Sequence, residues 1–161
     1  MIRKSNLKDK ATIISIYEKA RKFMAECGID QWQNGYPAES DVLSDIDTGI
    51  SYVLEDENGI YGTFVLVAGE DPTYVSIEDG EWMDSSEYFA IHRVASDGSH
   101  RGVFTELSDF AKSKCRHLRV DTHKDNMNMQ KAVKSNGFRY CGVIHLPDGS
   151  PRIAFEFTDK I

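Results

Sequence analysis

No stretch of the chain approaches the roughly 18 uninterrupted apolar residues that a membrane-crossing helix needs, so no membrane span is expected. The opening residues Met1-Ile2-Arg3-Lys4-Ser5-Asn6 lack the apolar core of a secretion signal, which predicts a cytoplasmic protein. Cysteine is sparse: Cys27, Cys115 and Cys141 make an odd number, and none stands in a CxxC pair. They read as reduced thiols, with no metal site expected. Basic charge is also short, 19 Lys and Arg against 26 Asp and Glu, for a net charge of −7. Nucleic acid requires a basic face and is not expected as a partner, whereas a small cationic substrate suits an acidic cleft. The same charge also serves simple solubility. Repeats, low-complexity tracts and linkers are missing, so residues 1–161 read as a single domain.

The rest of the chain is organised around Tyr88 to Lys114. Tyr88-Phe89-Ala90-Ile91-His92-Arg93-Val94-Ala95 is strand-like, Ser96-Asp97-Gly98 is a turn, and Ser99-His100-Arg101-Gly102-Val103-Phe104 leads into a helix. Val103, Leu107, Phe110 and Ala111 recur at helical spacing. A strand passing through a short basic loop into a helix start aims backbone N–H groups and the helix dipole at one point, a site for an anion and most often for phosphate. Strand alternation puts Tyr88, Ala90, His92 and Val94 on one face and Phe89, Ile91 and Arg93 on the other. A histidine on an apolar strand is commonly a hydrogen-bonded core residue. Histidine is also the commonest general base, with a reference pKa near neutrality.

Upstream, Met1-Ile2-Arg3 suggests a short edge strand. Ile13, Ile14, Ile16, Tyr17, Ala20, Phe23 and Met24 mark a first helix that runs to about Cys27 and is ended by Gly28. Asp30 to Pro37 is a loop rich in aromatics and amides, in which Trp32 and Tyr36 either cap the core or wall a substrate pocket. Ser40 is the expected cap of a short second helix ending near Gly49. Ile50–Glu55 and Ile60–Ala68 read as a hairpin joined by Glu57-Asn58-Gly59, which carries the Asn-Gly turn signal, its second strand apolar enough to lie centrally. Gly69 to Ser86 is polar and acidic and is expected to reach over a sheet edge; whether Thr73–Ile77 forms a strand is left open. Leu118–Thr122 is a strand whose C-terminal end carries Asp121, Thr122 and His123, the end at which open α/β sheets bind ligands. Asp121 suits either a cationic substrate or a turn before the next helix. That helix runs from Met127 to Ser135 and closes at Asn136-Gly137; Phe138–Ile144 and Arg152–Phe157 are paired strands.

From Asn126-Met127-Asn128-Met129-Gln130 to Asn136-Gly137-Phe138 the chain resembles the GNAT superfamily of acyl-CoA N-acyltransferases, with the strand–loop–helix ahead of it where that family binds the coenzyme A pyrophosphate. Arg119 to Asn126 also resembles a bacterial, uncharacterised subgroup. The resemblance implies an α/β fold: a mixed, mostly antiparallel twisted sheet of six to seven strands flanked by about four helices. It implies acetyl-CoA contacts from Val94, Ala95, Ser99, His100, Arg101, Gly102, Val103, Phe104, Asn126 and Met129. The implied catalytic candidates are His92, Tyr88 and His123, with Trp32, Tyr36 and Asp121 toward the substrate. Two departures stand out. The family's phosphate loop usually has Arg or Gln where Ser99 stands and a small residue where Phe104 stands, and Val133 occupies the position where many members place a Tyr acid.

The expected function is acetyl transfer from acetyl-CoA to the primary amine of a small molecule or peptide, by direct attack in a ternary complex and without a metal. Rival readings are a non-catalytic acyl-CoA-binding or sensory module and an interaction domain with no coenzyme. Members often dimerise through terminal strands, so a homodimer is compatible with the resemblance.

Overall fold

The computed structural model describes Met1–Lys160. Its strands are β1 (Ile2–Lys4), β2 (Ser51–Asp56), β3 (Gly59–Ala68), β4 (Phe89–Ser96), β5 (His117–Thr122), β6 (Arg139–His145) and β7 (Pro151–Thr158). Its helices are α1 (Lys10–Glu26), α2 (Glu39–Asp47), α3 (Val103–Lys114) and α4 (Met127–Ser135). The strands form one seven-stranded sheet in the order β1-β2-β3-β4-β5-β7-β6. Pairing is antiparallel for β1/β2, β2/β3, β5/β7 and β6/β7, and parallel for β4/β5. This is the mixed, mostly antiparallel sheet with four helices that the family resemblance implies.

The chain divides into two compact units, Met1–Leu66 with Arg93–Leu107, and Val67–His92 with the chain from Ser108 onward. In the first unit the stripe of α1 delivers Ile13, Ile16 and Tyr17 to a core completed by Val42, Val53 and Ala95. A 3-10 turn, Leu7–Asp9, leads into α1 and is capped by Asn6, whose side chain accepts the Lys8 N–H at 2.9 Å while Asp9 accepts the Asn6 N–H at 2.8 Å. Gly28 ends the helix at φ +71°, a conformation in which glycine is nearly free of steric cost.

Three expectations are corrected in this unit. The second helix begins at Glu39 rather than after Ser40, because the Asp41 carboxylate accepts the Ala38 N–H at 2.7 Å and supplies the cap from inside the first turn. The hairpin turns at Glu57-Asn58 with Gly59 already in β3, because a register shift at Leu54/Glu55 moves the pairing by one residue. Simple alternation does not run through β4, because Arg93 sits at φ +49°. A bulky residue tolerates that conformation only when its surroundings hold it. Here the guanidinium binds both oxygens of Asp45 at 2.8 and 2.7 Å and donates to the Tyr36 hydroxyl at 2.6 Å.

In the second unit Tyr74, Tyr88, Ala90, Ile144 and Ala154 form a buried cluster. The acidic segment does reach over an edge: Glu78 and Val143 exchange both backbone hydrogen bonds, at 2.8 and 2.7 Å, against β6. The open question at Thr73–Ile77 resolves as a 3-10 turn at Pro72–Tyr74, capped by Asp71. The edge contact is so close that a Cβ on Gly142 would overlap the Glu78 carbonyl oxygen and lie 2.8 Å from Ile77 Cγ1. Gly142→Ala is therefore expected to destabilise the protein by about 1–3 kcal/mol, the range for overpacking a tight site. A urea denaturation midpoint equal to that of the parent would contradict this.

Candidate active site

β4 and β5 pair in parallel only over Phe89–Ile91 against Leu118–Val120. His92 and Asp121 are the next residues on the two strands, so the ladder ends immediately before them. A loop of the same unit closes on this end. Asp71 Oδ2 lies 2.7 Å from His92 Nε2, and Asp121 Oδ2 lies 4.0 Å from His92 Nδ1. The Tyr74 hydroxyl donates to Asp121 Oδ2 at 2.6 Å, and the Tyr74 ring stands 5.8 Å from the imidazole. Each acidic group is fixed by something other than the histidine. Asp71 Oδ1 accepts the Thr73 N–H at 2.9 Å and its hydroxyl at 2.6 Å, and the Asp71 N–H donates to the Tyr88 hydroxyl at 2.7 Å.

Burial raises the Asp71 pKa, but the hydrogen bonds from His92 and Thr73 outweigh it and hold the carboxyl at about 2. Burial, reinforced by the negative charge of Asp121, pushes the Tyr74 hydroxyl well above its ordinary value. At neutral pH Asp71 is therefore an acceptor and Tyr74 a donor. The arrangement offers a ring nitrogen of His92, backed by one carboxylate and faced by another, at the open end of a strand pair.

The expected anion loop belongs to the first unit. Gly102 is exposed at φ +71°, with nothing within 4 Å of an added Cβ, and its carbonyl accepts the Glu106 N–H at 3.1 Å as α3 begins. Ser99 is turned onto Asp97, whose Oδ1 accepts its N–H at 2.9 Å and its hydroxyl at 2.5 Å. His100 stacks on Tyr61 at 3.7 Å between ring centroids and reaches Asp56 Oδ2 at 2.8 Å. Arg101 is exposed and has no ion pair among the described residues. Val103 and Phe104 are buried at the start of α3, Ala95 is buried and Val94 half-buried. Two carboxylates, Asp56 and Asp97, thus border the loop, and Arg101 is a cation of the loop with no ion pair among the described residues.

The remaining predicted residues have visible structural duties. Tyr88 is buried, accepts the Asp71 N–H, and lies under the Arg119 guanidinium at 4.1 Å. His123 Nδ1 accepts the Asp125 N–H at 3.0 Å. Asn126 caps α4 by accepting the Met129 N–H at 3.2 Å, and Met129 is half-buried. Val133 is fully buried. Trp32 packs edge-on against Tyr17, with centroids 5.5 Å apart, and against Tyr36 at 6.5 Å. In the second unit the structure brings His92, Asp121 and, through Asp71, Tyr88 together. The sequence reading passed over Asp71 and Tyr74; the Asp71-Pro72-Thr73 run was a legible cap signal. No group of His, Cys, Asp and Glu suited to a metal ion occurs among the described residues, and no helix there is long and apolar enough to cross a membrane.

No protein-family model matches the sequence, and neither does any curated protein. Solved structures do match. A GNAT-family acetyltransferase from Listeria monocytogenes 4b F2365 is 16% identical, with TM-score 0.72 over 97% of this chain and 92% of its own. A GNAT-superfamily phosphinothricin acetyltransferase from Sinorhizobium meliloti, in complex with AcCoA, is 13% identical, with TM-score 0.66 over 99% of this chain and 89% of its own. These two share the fold. A GNAT-family acetyltransferase from Streptococcus agalactiae 2603 is nearer, 30% identical with TM-score 0.92 over 100% of this chain and 96% of its own. At that identity over the whole length, the chain belongs to the GNAT family of acyltransferases.

Proposed function

We propose that the protein transfers an acetyl group from acetyl-CoA to the primary amine of a small molecule or peptide, with His92 as general base. The observation that carries this reading is the His92–Asp71 pair at 2.7 Å, placed where the β4–β5 ladder ends. Acetyl-CoA, when bound, supplies a thioester carbonyl for attack. The Gly102 turn, with an open side and a helix starting behind it, fits a diphosphate, and Arg101 supplies the positive charge. The Sinorhizobium neighbour with AcCoA supports the choice of co-substrate.

His92 takes one proton from the acceptor ammonium and frees the nitrogen lone pair. The N–C bond then forms and the C–S bond breaks, its electron pair leaving on sulfur. The nitrogen loses a second proton and the thiolate gains one, which leaves one proton on His92 for release to water.

Incubation with acetyl-CoA and a panel of polyamines, amino acids and aminoglycosides, followed by free-thiol detection, tests the reading. Acetyl-CoA at a hundred times its dissociation constant is expected to stabilise the fold by about 2.7 kcal/mol, seen as a raised Tm. Thiol release that depends on an amine is the expected second result. Stabilisation without thiol release would favour a non-catalytic acyl-CoA-binding module, a reading supported by Val133 buried at the usual tyrosine position and by Asp56 and Asp97 beside the loop. Neither effect would defeat both readings.

A further inference from the structure

We propose that Asp71 is a positioning residue that fixes His92 as its Nε2–H tautomer, so that Nδ1 takes the proton of an acceptor entering as an ammonium ion against Asp121. This rests on the acetyl-transfer reading for its chemistry and on geometry alone for the tautomer.

The tautomer follows from the partners. An ionised carboxylate has only acceptor positions. Asp71 Oδ1 already accepts two donors from Thr73, and Oδ2 lies 2.7 Å from His92 Nε2. Nε2 must therefore carry the hydrogen, and in the neutral ring the lone pair falls on Nδ1. Asp71 is itself held at three points, through both oxygens and through its N–H on the Tyr88 hydroxyl. The low Asp71 pKa agrees with this, since a carboxyl at about 2 does not take the proton back near neutrality.

The acceptor's charge follows from the other side of the ring. Nδ1 and Asp121 Oδ2 stand 4.0 Å apart, too far for a direct hydrogen bond. One nitrogen about 2.9 Å from each spans that gap with two N–H donors. A neutral amine has two such hydrogens but no charge to answer the Asp121 carboxylate. An ammonium has both, and Asp121 is already oriented by the Tyr74 hydroxyl at 2.6 Å. The side chains of His92 and Asp121 are 22% and 13% exposed, so the pair is sheltered yet reachable. The groups facing His92 are thus Asp71 from the loop, Asp121 from β5 and the Tyr74 ring from the 3-10 turn.

Long-range 15N–1H spectra of the imidazoles, with His92 assigned by loss of its signal in H92Q, read the tautomer without any acyl transfer. The expected wild-type result above the titration is a protonated Nε2 and a bare Nδ1; a protonated Nδ1 overturns the assignment. In D71N the asparagine amide competes as a donor, and a share of the Nδ1–H tautomer is expected. A wrong tautomer in a serine protease triad costs about 10⁴-fold in kcat. On this more open site a fall of at least about tenfold in kcat is expected for D71N, with the KM for acetyl-CoA unchanged and the pH profile altered. D121N is expected to raise the acceptor KM instead. An unchanged kcat and profile in D71N overturns the positioning role. If no amine is acetylated at all, the acetyl-transfer reading fails, and the spectrum still decides the tautomer.

Discussion

Replacing His92 by glutamine is expected to lower kcat/KM for acetyl transfer by about 10²–10⁴-fold, the range for loss of a positioned general base. Glutamine keeps much of the volume and still hydrogen-bonds Asp71, but it takes no proton. The neighbours offer no replacement. Asp71 is already occupied, its Oδ1 by the Thr73 N–H and hydroxyl and its Oδ2 on the side of residue 92. The Tyr74 hydroxyl is pushed well above its ordinary value by burial and stays protonated, spent on Asp121. Asp121 Oδ2 already accepts the Tyr74 hydroxyl at 2.6 Å and is the proposed anchor of the acceptor's charge.

The expected pH dependence separates this from simple structural damage. An alkyl amine is almost wholly protonated near neutrality, with a reference pKa of about 10.4. Without the base, the variant depends on the small fraction of free amine in solution, so its rate should climb with pH and the deficit should narrow. A folding defect would lower the rate equally at every pH. Unchanged kcat/KM together with an unchanged profile would remove His92 from the chemistry.

Local patterns made the architecture legible. The α1 stripe, the Gly28 boundary and the Gly137 stop are each written within a few neighbouring residues, and the structure has them where the pattern puts them. The catalytic pairings are not local. His92 meets Asp71 across 21 positions, and Tyr74 meets Asp121 across 47. No periodicity links such residues. The acidic segment was legible as a cover over a sheet edge, but not the strand residue it pairs with, because Glu78 and Val143 lie far apart along the chain. Arg93 was misplaced for a related reason: its left-handed conformation is held by Asp45, which lies 48 residues away. In the loop at Ser99 the identity of each residue was plain, but the bonds that tie the serine to Asp97 were not.

Glu156→Ala is expected to cost about 3–5 kcal/mol, the penalty for breaking a buried ion pair by removing one partner. That is a large part of the roughly 5–15 kcal/mol that holds a domain together. Glu156 is fully buried, and its two oxygens satisfy three strong donors. Oε2 receives Arg119 Nε at 2.8 Å and stands 2.7 Å from His117 Nε2, while Oε1 accepts the Met83 N–H at 2.7 Å. Arg119 is only 6% exposed, set over the rings of Trp82 and Tyr88 at 4.0 and 4.1 Å, so its charge has nowhere to hydrate once the carboxylate is gone. The same reasoning predicts that removing both charges hurts less. The double variant R119M/E156L, filling the space with apolar groups, should be more stable than E156L alone, because the cost comes from an orphaned charge more than from lost attraction. Urea denaturation of the three variants checks the order. A loss below about 1 kcal/mol for E156A, the value of an exposed pair, would mean that water reaches Arg119 in the folded state, against its burial.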